Sequence, residues 1–123
     1  MSLFKTPIAF VATTDAAACR HFYESVLALE CLSDGPFALV FDLGPTTLRI
    51  QKVQSLVNVS HTVLGWEVED IVLCVNELSQ RGVTFDWYTE LPQDENGAWS
   101  SPSGVKVALF KDPDGNQLSV TQP

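Results

Sequence analysis

Arg49 and Glu67 are the side chains best suited to chemistry in this 123-residue chain. A guanidinium can grip a carboxylate or other oxyanion at two points. A carboxylate can serve as a general base or receive a cation. Thr47, Arg49 and Gln51 alternate with Leu48, Ile50 and Lys52 in the stretch 46–53, and Glu67 lies near the end of the stretch 63–68, so Arg49 and Glu67 each fall at a strand position. Two readings stay open. Both side chains face a ligand, with Arg49 as its electrophilic anchor, or they neutralise each other in a salt bridge that fills the space between them. Other catalytic ingredients are scarce. His21 falls on a predicted helix and His61 in a polar linker, and no Ser-His-Asp set, phosphate-cradling glycine loop or dinucleotide fingerprint is present. Cys19, Cys31 and Cys74 are never closer than twelve residues, which rules out a Cys-x-x-Cys pair and leaves them as small reduced core residues.

The elements that must position these groups occur twice. Residues 7–13 read as a strand with Ala9 and Val11 on one face and Ile8, Phe10 and Ala12 on the other, both faces apolar enough to be covered. Asp15 has the chemistry of a helix cap, and 16–27 places Ala18, Cys19, Phe22 and Val26 on one stripe with Arg20 and Glu24 paired outside. Strands follow at 29–33, 37–43 and 46–53, separated by Asp34-Gly35-Pro36 and Gly44-Pro45. The order then repeats. A strand spans 63–68, Asp70 caps a helix over 71–81 that buries Ile71, Cys74, Val75 and Leu78, Gly82 closes it, and strands follow at 83–87, 105–111 and 117–122. Asp15 and Asp70 are 55 residues apart, as are Cys19 and Cys74. The prediction is an α+β domain over 1–123 made of two βαβββ modules, about 5–54 and 62–122, joined by a polar linker at 54–61. A long polar insert spans 89–104, and its Trp99 packs either onto a ligand cavity or onto the insert's own base.

Fifteen carboxylates against seven Lys and Arg give a net charge of −8, which disfavours nucleic acid and membrane partners. The excess is densest between Glu67 and Glu95, where Arg81 is the one basic residue; that stretch either attracts a cationic ligand or is a solvated face. Hydrophobic residues make up 46% of the chain and charged residues 18%, the profile of a folded protein with neither a disordered composition nor a membrane span. No signal-like apolar run follows Lys5, so a cytoplasmic location is expected.

Four features together resemble the vicinal oxygen chelate superfamily of glyoxalases, bleomycin-resistance proteins and extradiol dioxygenases. They are the two βαβββ copies, Phe22-Tyr23-Glu24-Ser25-Val26-Leu27, Trp66-Glu67-Val68-Glu69-Asp70-Ile71, and Phe110-Lys111-Asp112-Pro113-Asp114-Gly115-Asn116. The resemblance implies a curved, mostly antiparallel half-barrel sheet around a cavity, often completed in a homodimer. It also implies a divalent metal held from the first and last strands of each module. The corresponding positions here are Ile8, Arg49, Val63 and Ser119. Ile and Val cannot coordinate, Arg is cationic and a lone Ser hydroxyl is a weak ligand, so neither metal nor cofactor is expected. The cavity-facing set then comprises Phe10, Thr47, Arg49, Gln51, Glu67, Ser119 and Thr121, with Trp99 from the insert. The function expected is metal-independent binding of a small organic molecule. The competing expectations are a lyase, isomerase or dioxygenase of the same superfamily, either metal-assisted or using Arg49 and Glu67, and a structural or partner-binding module with a filled cavity.

Overall fold

The computed structural model describes residues 2–88, 92–95 and 97–123, which divide into two compact units, Met1–Val57 and Asn58–Pro123. In the first, β1 (Ala9–Thr13) leads into α1 (Ala16–Arg20), followed by β2 (Cys31–Asp34), β3 (Ala38–Asp42) and β4 (Thr47–Lys52). The strands lie in the order β1-β4-β3-β2, with β1 parallel to β4 and the other pairs antiparallel. Antiparallel neighbours need only tight turns, and the intervening helix and strands return the chain for the parallel pair. Asp15 caps α1 as expected, its carboxylate accepting the Ala18 N–H at 3.2 Å. Val11, Thr13, Leu39, Phe41, Leu48 and Ile50 are buried, as are Cys19 and Tyr23 from the helical segment.

Two expectations fail in this unit. The predicted α-helix over 16–27 stops at Arg20, and His21–Val26 is π-helical, with the Leu27 N–H bonded to the Phe22 carbonyl at 2.9 Å. A π turn holds about one residue more than an α turn, so the inward-facing set shifts. Tyr23, not Phe22, is fully buried, its ring 5.8 Å from that of Phe41. Nor are both faces of β1 covered: Ile8 is 45% exposed and Phe10 51%. Alternation along the strand sends Val11 and Thr13 into the core and leaves Phe10 on the opposite face.

The second unit repeats the order with β5 (Leu64–Glu67), α2 (Ile71–Gln80), β6 (Trp99–Ser100), β7 (Lys106–Lys111) and β8 (Gln117–Gln122). Its sheet, β5-β8-β7-β6, has the topology of the first, again with its first and last strands parallel and the other pairs antiparallel, and both sheets are open. The architecture is the predicted α+β fold of two βαβββ copies. Asp70 caps α2 through the Leu73 N–H at 3.1 Å, and Gly82, at φ 98°, follows its last turn in the left-handed conformation that a helix stop requires. Ile71, Val75 and Leu78 are buried while Cys74 is half-buried.

The strand predicted at 83–87 is not formed. Its place beside β7 is divided between a single bridge, Phe85 to Phe110, and β6, which pairs Trp99 with Val107. Part of the predicted insert is therefore sheet. Thr89, Glu90, Leu91 and Asn96 of that insert lie outside the described residues. Gln93 ties the remainder together: its amide donates to the carbonyls of Asp86 and Gly97 at 2.9 and 2.7 Å and accepts from the Tyr88 N–H at 2.6 Å.

Candidate functional site

The eight candidate residues divide four and four between the units. In the first, the ladders align Phe10 with Arg49 and Arg49 with Val40. Gln51 in the next row on this face pairs with Ala12 and Ala38, and Thr47 in the row before pairs with Asp42. Residues paired across strands share a face, so Phe10, Thr47, Arg49 and Gln51 stand together on the face opposite the buried Leu48 and Ile50. Arg49 and Phe10 are both exposed, and the Arg49 side chain has no ion-pair or hydrogen-bond partner among the described residues. The result is a free guanidinium beside an exposed aromatic ring, a combination suited to an anion with an apolar body.

In the second unit, one cross-strand row runs Glu67, Thr121, Val107, Trp99. Trp99, which composition placed in a loop, is thus set by β6 on the face that carries Glu67 and Thr121. The adjacent row is Gly65, Ser119, Leu109. Ser119 is 6% exposed, and a Cβ at position 65 would come within 2.5 Å of its Oγ, so the glycine makes room for the hydroxyl. Glu67 has no ion-pair or hydrogen-bond partner among the described residues. Tyr88 is an addition that strand alternation missed. Its hydroxyl donates to Gln117 Oε1 at 3.1 Å, and Gln117 Nε2 donates to Thr62 Oγ1 at 3.3 Å. This chain fixes the Gln117 side chain two residues from Ser119, and Tyr88 carried no strand pattern that could have placed it there.

Gly65 is 55 residues beyond Phe10, and each lies opposite a residue of the last strand of its unit, so Ser119 holds in the second unit the place that Arg49 holds in the first. The residues at Ile8, Arg49, Val63 and Ser119 do not fit a divalent metal, because their side chains offer a single neutral hydroxyl as donor. Among the described residues no group of three or more His, Cys, Asp or Glu is placed to hold one elsewhere. The two histidines are exposed. A reactive thiol finds no support at Cys74, whose pKa is pushed upward by burial. Asp112 serves its turn, accepting the N–H groups of Asp114 and Asn116 at 3.0 Å each and the Asn116 side-chain amide at 2.8 Å. Among the described residues no helix is long and apolar enough to cross a membrane.

No protein-family model matches the sequence, and no curated protein matches it either. Solved structures do. A glyoxalase/bleomycin resistance protein/dioxygenase from Alicyclobacillus acidocaldarius superposes with a TM-score of 0.72 at 15% identity, covering 96% of this chain and 90% of its own. TnmS3, an antibiotic binding protein from Streptomyces sp. CB03234, gives 0.68 at 20% identity over 100% and 98%. Lactoylglutathione lyase from Agrobacterium tumefaciens gives 0.70 at 17% over 98% and 94%. The chain shares the fold of these glyoxalase, bleomycin-resistance and dioxygenase structures. At these identities the likeness is one of fold, and function rests on the residues.

Proposed function

We propose that this protein binds a small organic anion without a metal, Arg49 serving as the anchor that a metal provides in catalytic proteins of this fold. The carrying observation is the Arg49 guanidinium, exposed beside Phe10 and free of any ion pair among the described residues. A bidentate hydrogen bond from guanidinium to carboxylate supplies charge and orientation, and the ring supplies apolar area. Thr47 and Gln51 add neutral hydrogen-bonding groups on the same face, and the second unit carries polar and aromatic groups of its own in Glu67, Ser119, Thr121 and Trp99. The fold's occurrence in an antibiotic binding protein is compatible with a binding role. The exposed Ile8 and Phe10 favour a homodimer, and three free cysteines suit a reducing, cytoplasmic compartment.

A thermal-shift screen of aryl and alkyl carboxylates against wild type and Arg49→Ala tests this reading. A ligand present at about 100 times its dissociation constant adds about 2.7 kcal/mol of stability. Saturable stabilisation of the wild type, lost in a variant whose own melting is unchanged, is the expected outcome. Equal stabilisation of both proteins, or of neither by any anion, overturns the assignment of the anchor.

A further inference from the structure

On the second unit, away from the face that carries Glu67 and Ser119, a groove of about 310 Å³ runs between α2 and the segment that follows it. Its floor is apolar: Val75, Val83 and Phe85 line it, and all three are buried. Trp87 stands on one side, 60% exposed, its indole against the backbone of Gly97, where an added Cβ would come within 3.9 Å of the ring. Glu95 lines the same groove. Its carboxylate differs from its acidic neighbours, which are occupied: Asp86 pairs with Lys111 at 2.7 Å, Glu77 with Arg81 at 3.9 Å, and Asp94 accepts the Ala98 N–H at 3.0 Å. Among the described residues Glu95 has no ion-pair or hydrogen-bond partner and no Lys or Arg lines the groove.

We infer that this groove is a second binding site, selective for a small organic cation of the quaternary ammonium class. An exposed indole face attracts a cation through its quadrupole, most strongly when the cation is weakly hydrated and carries its charge on methyl groups. The free carboxylate adds a charge of the required sign, and the apolar floor receives the alkyl body. The acid-rich stretch between Glu67 and Glu95 and the net charge of −8 raise the local concentration of such a ligand and repel anions from the groove. The site is independent of Arg49 and opposite in charge preference.

The test is a titration of the uniformly 15N-labelled full chain with choline, followed through the three Trp indole N–H resonances, with 3,3-dimethylbutan-1-ol as the neutral isostere. Assignment uses Trp87→Phe. The expected result is a saturable shift centred on the Trp87 indole, absent with the isostere, abolished for the amides around the groove in Trp87→Ala, and weakened about threefold or more in Glu95→Gln. Arg49→Ala binds choline as the wild type does, which separates this site from the anion site. Equal binding of the isostere, unchanged binding in both groove variants, or shifts centred on Trp66 or Trp99 overturns the inference. Trp87 is largely exposed and Glu95→Gln is isosteric, so dispersed amide spectra are expected from both variants.

Discussion

A methyl group added at Gly65 would lie 2.5 Å from Ser119 Oγ and 3.3 Å from the Ser119 carbonyl oxygen. Ser119 is nearly buried, so the clash has no free direction of escape, and Gly65→Ala is expected to cost about 1–3 kcal/mol in urea denaturation. Ser119→Ala in the same chain removes the closest atom and restores part of the loss; an unaltered midpoint for Gly65→Ala would contradict this packing. Alternation along a strand is enough to group Thr47, Arg49 and Gln51 on one face of β4 and to separate Phe10 from Val11 on β1, because a period of two admits no other grouping once the strand is recognised. Tyr88 was not legible in this way. Its link to the site runs through the side chain of Gln117 from a segment without strand pairing at that residue, and no periodicity encodes such a contact.

Capping chemistry made both helix starts legible, and each cap is testable. Asp15→Ala and Asp70→Ala each remove a carboxylate that accepts a first-turn N–H and should each cost about 1 kcal/mol, read as a lowered urea midpoint. No loss in either would show that the bond is replaced by solvent. The helix that α1 begins was legible only in part, since the π turn over His21–Val26 replaces an α period that the apolar stripe satisfied equally well. The edge of the second sheet was hidden for another reason. β6 is two residues long, too short for any pattern, whereas the apolar 83–87 stretch imitates a strand while making one bridge. In the first unit, Asp34 on β2 joins three elements, bonded to Lys52 of β4 at 2.6 Å and to Arg20 of α1 at 3.1 Å. The Lys52 ammonium holds the Asp34 carboxyl below its ordinary pKa, partial desolvation opposes this, and Arg20 reinforces it. A carboxylate with a depressed folded pKa stabilises above its unfolded pKa, roughly 4, and that contribution fades as pH falls through the lower folded value. Lys52→Met should therefore raise the Asp34 pKa toward the ordinary range in a carboxyl-carbon NMR titration. An unmoved titration would assign the depression elsewhere.

Across the whole molecule, the 55-residue offset between Asp15 and Asp70 anticipated two copies of one topology, and the strand orders β1-β4-β3-β2 and β5-β8-β7-β6 carry it. Cap, helix and strand order survive divergence because each depends on a few residue types, while the chemistry depends on single positions. The side chains at Ile8, Arg49, Val63 and Ser119, the positions at which the resemblance implies metal ligands, do not suit a divalent metal. Elemental analysis of untagged protein, purified without chelator, incubated with Zn, Ni, Mn and Fe(II) and then desalted, tests this account most directly. It predicts far less than one metal ion per chain. One tightly held ion per chain, or one per two chains, would contradict it and return the site to metal-assisted chemistry.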